Sequence, residues 1–201
     1  MMPILILAAG ASSRMGGADK LLLDVDGEPL VRRQARMALS VSDDVRIALP
    51  PRPHPRYDAL DSLKVQTIEV ADAGEGMNAS LRALFATLEA DKTHAMLLLA
   101  DLPDLTADDL RTVIAASDAH PTALIWRGAT AQGTGGHPMI FAAALFDEFQ
   151  HLSGDGGGQP IVAKAGDAVH LVPLKGNRAR HDLDTPEDWA AWRASRSGDA
   201  I

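Results

Sequence analysis

Cysteine is missing from all 201 residues, which excludes disulfides and thiolate metal sites together and suits a reducing compartment. Aromatic residues make up only 4% of the chain, and three tryptophans and one tyrosine lie scattered along it, too few for base-stacking platforms. Positive charge is outnumbered, with 19 Lys and Arg against 27 Asp and Glu and a net charge of −8, so the basic face of a nucleic-acid binder is not expected. No apolar run approaches the roughly 20 residues of a membrane span, and the opening Met1–Leu7 lacks the basic segment of a signal peptide. These absences together imply a soluble, cytoplasmic protein that handles a small molecule, with neither nucleic acid nor membrane as partner. If that molecule is polyanionic, positive charge must be gathered locally against an acidic field.

A hydrophobic content of 46% with 23% charged residues is enough for a sizeable buried core. Apolar runs and helical spacings alternate along the chain. Pro3–Ala9 and Thr93–Ala100 are continuous apolar runs, as expected for strands covered on both faces. Asp44–Leu49, Val65–Val70, Thr122–Trp126, Pro138–Phe141 and Val169–Pro173 read as further strands. Helices are expected over Pro29–Leu39, Gly76–Glu89, Thr106–Ser117, Ala142–Phe149, Gln159–Gly166 and Thr185–Arg196, and Pro50–Pro55 reads as loop alone. This order predicts a three-layer α/β/α fold around a mainly parallel, Rossmann-like mixed sheet, in one domain spanning residues 1–201. In such sheets ligands bind beyond the carboxyl ends of the strands. That edge receives the loop after the first strand and the residues after Ala100.

The first of these loops, "LAAGASSRMGGADK" (residues 7–20), holds Gly10, Gly16 and Gly17 with Ser12, Ser13, Arg14 and Lys20. Its glycine spacing is not the dinucleotide fingerprint, and no Gly-Lys-Ser/Thr is present for a P-loop. The physical content still points to phosphate. Glycines let backbone N–H groups come close to an anion, the two serines add donors, Arg14 can grip phosphate oxygens with two bonds, and Lys20 adds a compact charge. A mobile loop with solvated basic residues has the same pattern.

The stretch "LAAGASSRMGGADKLLL" followed by "GEPLV" resembles the signature L-A-A/G-G-x-S-x-R-M-G…K of the MobA-like nucleotidyltransferases, and lies closest to the molybdopterin cytidylyltransferase-like branch. The resemblance implies that Leu7, Ala8, Ala9 and Gly10 lie by the base, and that Arg14 and Lys20 contact the triphosphate as catalytic groups. In "LLLADLPDL", Asp101 closes a buried strand and stands at the position of the family's metal-binding aspartate. In "HDLDTPEDW" the family places a second metal ligand, for which Asp184 is favoured over Asp182, with Mg²⁺ as the ion. Thr185, Pro186, Glu187 and Asp188 form a helix start, as Asp104, Asp108 and Asp109 do for theirs. "GEGMNASLRALF" resembles a segment that contacts base and ribose, which implicates Gly76, Met77, Asn78 and Ser80.

"GGHPMIF" resembles a segment near nucleotide and acceptor, placing Gly136, His137 and Pro138 there, with His137 read as a packed or solvated loop histidine rather than a catalyst. "SGDGGGQPIV" departs from the pattern G-D-x-G-A-R. Gly157 is kept, but Gln159 replaces the arginine, which removes a charged fork from the acceptor side. The activity implied is transfer of a nucleoside monophosphate to a phosphorylated acceptor such as molybdopterin, with a molybdoenzyme as partner. Ala8-Ala9 favours CTP; GTP, another acceptor, a non-catalytic cofactor carrier and an NAD-binding domain are the alternatives.

Overall fold

The structure is a computed structural model and describes residues 1–198; the last three residues of the expected domain lie outside the described residues. In chain order the elements are β1 (Ile4–Leu7), a 3-10 turn at Lys20–Leu22, β2 (Asp24–Val25), β3 (Glu28–Pro29), α1 (Leu30–Leu39), β4 (Val45–Leu49), α2 (Pro55–Ala59) and β5 (Gln66–Glu69). They continue with α3 (Met77–Phe85), β6 (His94–Leu99), α4 (Ala107–Ala119), β7 (Ile125–Ala129) and β8 (Gly135–Ala142). A 3-10 stretch over Ala143–His151 leads to α5 (Gln159–Ala165), β9 (Val169–Pro173) and α6 (Pro186–Gly198).

Seven strands form one sheet in the order β5-β4-β1-β6-β8-β7-β9, and β2 and β3 pair as a small separate ribbon. All neighbours are parallel except β8, which runs against both β6 and β7. The sheet is thus mainly parallel and mixed, as expected. Alternation along each strand sends side chains to opposite faces. Ile4, Ile6, Met96 and Leu98 join the core beneath α1, α4 and α6, while Leu5, Ala95 and Leu97 join the core beneath α3, the 3-10 stretch and α5. Among the described residues no helix is long and apolar enough to cross a membrane.

Helix starts follow local chemistry. Thr106 and Asp109 form a reciprocal capping box at α4. Thr185 and Asp188 exchange the same bonds at α6, with Asp188 N donating to Thr185 Oγ1 at 3.1 Å and Thr185 N to Asp188 Oδ2 at 2.9 Å. Other expectations need correction. Pro55 does not only close a loop; it opens α2, where a proline's missing N–H costs nothing. The helix at 76 stops at Phe85, the Ala142 helix is 3-10, and β8 begins at Gly135 rather than Pro138.

The reversed β8 matters for the site. Its beginning, not its end, lies at the carboxyl edge of the parallel strands. From β9 the chain then returns along that edge: Leu174 N donates to Ala129 O, His137 N to Ala179 O, and Leu183 N to Asp101 O.

Candidate active site

The loop from Ala8 to Lys20 is built around a residue that no sequence pattern singled out. Arg56, on α2, is buried to 2% side-chain exposure. It grips Asp19 with two bonds of 2.7 Å, to Oδ1 and Oδ2. It also donates to the carbonyls of Ala8 (2.6 Å) and Gly10 (2.8 Å). Asp19 in turn accepts from Leu21 N, and Lys20 N donates to Ser12 Oγ. Ser12 sits at φ +51°, a region that costs an L-residue roughly 1–2 kcal/mol; its hydroxyl, shared among Asp19, Lys20 N and Arg56, is spent inside the loop. Gly16 and Gly17 take φ +60° and +95°, which only glycine adopts freely.

This scaffold walls a cleft of about 490 Å³. Ala9, Gly10, Ser12 and Ser13 line it together with His54, Arg56 and Gly74. Ala8 does not face the cleft; it is 1% exposed and belongs to the core. Leu7 lines a second cavity instead.

At the ends of β1 and β6 four charged side chains converge. Lys20 Nζ lies 2.5 Å from Asp101 Oδ2 and 2.6 Å from Asp184 Oδ1. Arg14, largely exposed, reaches Asp184 Oδ2 at 2.7 Å. Burial works to lower the Lys20 pKa, but Asp101 and Asp184 outweigh it and raise the ammonium above its ordinary range. Burial likewise works to raise Asp184, and the Lys20 hydrogen bond overrides it and holds this carboxyl below its ordinary value. Asp182, two residues away along extended backbone, is pushed the other way, chiefly by burial.

A divalent cation fits this donor set. Asp101 Oδ1 is buried without a hydrogen-bond partner, an orphaned anionic oxygen that burial makes costly. Among the described residues no group of three or more His, Cys, Asp or Glu forms a ready-made cage. Two carboxylates alone match a cation completed by phosphate oxygens and water.

The second cavity, about 250 Å³, is lined by Leu7, Met77, Gly136, His137, Gly157 and Gln159 among others. His137 is enclosed, and burial pushes its pKa down to about 4; its Nδ1–H donates to Leu97 O at 3.4 Å. The ring is neutral and lines the cavity wall. Pro138 is buried and the bond before it is cis. At Gly136 a Cβ would come within 2.0 Å of Ala179 O, so this glycine serves the close approach of the returning chain. Gly76 has the same relation to the Asp155 side chain, 2.3 Å away. Asp155 Oδ1 accepts from Met77 N at 2.7 Å, and Asn78 Nδ2 donates to Ser153 O at 2.7 Å. The glycine loop is thereby fastened to the start of α3. Asn78 and Ser80 are both buried, and Asn78 Oδ1 has no partner.

Asp104 departs from the expected helix-start role. It accepts from Trp192 Nε1 at 2.8 Å and pairs with His181 Nδ1 at 2.6 Å, tying α6 and the returning chain to the edge.

Comparison with known proteins gives the family. The sequence profile of the MobA-like NTP transferase domain matches residues 4–169, and the chain belongs to that family. A probable molybdenum cofactor guanylyltransferase of Synechococcus elongatus is 42% identical over 108 residues, which cover 53% of this chain and 54% of that protein. The chain thus spans about half the length of such curated relatives. The crystal structure of Rv0371c from Mycobacterium tuberculosis superposes with a TM-score of 0.81 at 27% identity, covering 95% of this chain and 96% of that one. A manganese complex of the same protein superposes at 0.77 and 25% identity, over 94% and 96% of the two chains.

Proposed function

We propose, on the premise of that membership, that the chain moves a nucleoside monophosphate from a nucleoside triphosphate to the phosphate of a small acceptor and releases pyrophosphate. The observation that carries this is the meeting of Arg14, Lys20, Asp101 and Asp184 at one point, close in sequence to Asp19 of the larger space and to Leu102 and Asp182 of the smaller. The triphosphate belongs along the 490 Å³ cleft, with Gly10 and its neighbours offering backbone to the phosphates. An oxygen of the acceptor phosphate attacks the α-phosphorus, and the bond to the bridging oxygen breaks, its electron pair leaving with pyrophosphate. A phosphate is already ionised at neutral pH, so no general base is required, and a neutral His137 is consistent with that.

The chain's work is positioning and charge stabilisation. Arg14 and Lys20 exchange their carboxylate partners for oxygens of the leaving pyrophosphate. Asp101 and Asp184 would hold a divalent cation, whose contribution is to neutralise phosphate charge. Magnesium suits two carboxylates plus phosphate oxygens, and the manganese complex of Rv0371c supports a divalent ion here.

The relatives' names make GTP the first reading of the nucleotide and molybdenum cofactor the acceptor, with a molybdoenzyme as the receiver of the product. CTP is the second reading. It rests on Ala9, whose place on the cleft wall adds a methyl that shapes the base pocket, a difference worth only about 1–3 kcal/mol. A non-catalytic carrier would have no use for the four converging charges.

The test is thermal unfolding with ATP, GTP, CTP and UTP, with and without Mg²⁺, on wild type and Asp101→Ala. A triphosphate at 100 times its dissociation constant stabilises by about 2.7 kcal/mol. A GTP-selective, Mg²⁺-dependent shift that shrinks in the variant supports the first reading, and CTP selectivity the second. No shift with any triphosphate at millimolar concentration overturns both.

A further inference from the structure

The 250 Å³ cavity holds two arginines that the reaction described above does not use. Arg127 stands on β7 and Arg180 on the returning chain, and both line the cavity. Each donates only to backbone: Arg127 Nε to Gly136 O at 3.2 Å and Arg180 NH1 to Gly135 O at 3.0 Å. Among the described residues neither has a carboxylate partner, whereas the buried Arg46 and Arg56 both do. The cavity's own carboxylates are engaged elsewhere, Asp155 with Met77 N and Asp182 with Asp184. Two guanidiniums without counter-charge, close enough to repel one another, leave donors and positive charge directed at whatever enters.

The backbone is shaped to let them in. A Cβ on Gly135 would lie 2.9 Å from the Arg127 Cδ and Nε, and one on Gly136 would lie 2.7 Å from the Arg180 Cγ. Consecutive glycines therefore make room for both arginine stems. His137 is placed within electrostatic reach of Asp101 and of both arginines, so the pair stands beside the point where the four charges converge. Leu97 and Met139 stand beside Arg127 in one row across the sheet, and with Phe141 they make this wall apolar. Gln159 brings no charge.

We propose that Arg127 and Arg180 form an anion subsite that grips the phosphate monoester of the acceptor, while the apolar wall takes the body attached to it. This rests on the nucleotidyltransferase reading and adds to it the residues that present the attacking phosphate. A doubly ionised monoester suits two guanidinium forks. The ligand class is a phosphorylated small molecule whose compact body packs on Leu97, Met139 and Phe141, with Asp155 and Gln159 as polar neighbours.

The probe is inorganic phosphate, measured by equilibrium dialysis with a non-hydrolysable triphosphate analogue and Mg²⁺ saturating the first cleft, so that Arg14 and Lys20 are occupied. Wild type, Arg127→Gln, Arg180→Gln and Arg127→Lys are compared, with unfolding curves for each. The expected result is about tenfold weaker phosphate binding (~1.4 kcal/mol) in each Gln variant, partial rescue by Arg127→Lys, and unchanged affinity for the analogue. Phosphate bound as tightly by both Gln variants as by wild type overturns the subsite, as does no phosphate binding to the nucleotide-filled wild type. If Arg127→Gln fails to fold, the exposed Arg180 decides alone. Failure of the analogue itself to bind counts against the nucleotidyltransferase reading instead; dialysis of the nucleotide-free protein then still judges whether phosphate depends on the pair.

Discussion

Arg56→Met should cripple the loop after β1 while leaving Arg14, Lys20, Asp101 and Asp184 in place. The guanidinium, 2% exposed, makes two bonds to Asp19 and caps the carbonyls of Ala8 and Gly10. Methionine fills much of the volume, so the cost is electrostatic. Breaking a buried ion pair by removing one partner costs roughly 3–5 kcal/mol. Asp19 retains about 20% side-chain exposure and can recover some water, which places the loss near the lower end, about 3 kcal/mol. For a domain of this size that corresponds to a fall in Tm of roughly 6–12 °C. Adding Asp19→Asn to the variant should cost less than the sum of the two single changes, because no unpaired charge is left. Triphosphate binding should weaken as well, since Ser12 and Gly10 lose the strut that fixes them. Differential scanning fluorimetry with and without triphosphate measures both effects. A Tm within about 2 °C of wild type (under ~1 kcal/mol), or strict additivity in the double variant, would show that the loop does not depend on this buried cation.

Three further outcomes are expected. His137 stays neutral in the fold, with its pKa down to about 4 through burial, against about 6.5 unfolded. Its contribution is complete above pH 6.5 and is lost as pH falls toward 4, of the order of 2–3 kcal/mol; His137→Gln should flatten that acid limb in urea titrations, and an unchanged limb refutes the assignment. Lys20→Met removes the ammonium from between Asp101 and Asp184, where unit charges 4 Å apart repel by about 4 kcal/mol at an effective dielectric of 20. Mn²⁺ binding by the nucleotide-free protein, followed by electron paramagnetic resonance, should tighten by about tenfold or more (~1.4 kcal/mol) while transfer activity falls; equal Mn²⁺ affinity counts against the carboxylate pair as cation ligands. Gly136→Ala places a methyl 2.0 Å from Ala179 O and should lower Tm by several degrees, roughly 1–3 kcal/mol; a neutral result would mean that the returning chain gives way easily.

Much of the framework was legible because it is local. The buried runs at β1 and β6, and the Thr-x-x-Asp starts of α4 and α6, carry their own signals. The charged residues of the opening loop could be found by type, because phosphate chemistry asks for particular side chains. What could not be read is whatever depends on a distant partner. Arg56 sits in a proline-rich stretch that looks like mere connection, and only the fold brings Asp19 to it. Arg127 is one arginine in an apolar strand, and Arg180 one of several in a basic stretch. Asp104 looks like any acid near a helix start until His181 and Trp192 arrive from 77 and 88 residues away. The direction of β8 was equally hidden, since parallel and antiparallel strands share one period. Ala8 and Ala9 were separable by parity alone, since they join the cores on opposite faces of the sheet and only Ala9 also borders the cleft, but a resemblance that takes the four residues as a unit passes over that alternation.

The single reversed strand also divides the protein's capacity for change. On one side, β5, β4, β1 and β6 carry the cleft proposed for the triphosphate. On the other, β8, β7 and the chain returning from β9 supply the two arginines and the glycines that admit them. Lys20, Asp101 and Asp184 form the common boundary. Under the proposed function, a lineage could exchange the acceptor by drift in the second half while the nucleotide stays the same, or exchange the nucleotide while keeping the acceptor. Sequence divergence concentrated between β7 and α6 should accompany new acceptors, and divergence around β1 and α2 new nucleotides.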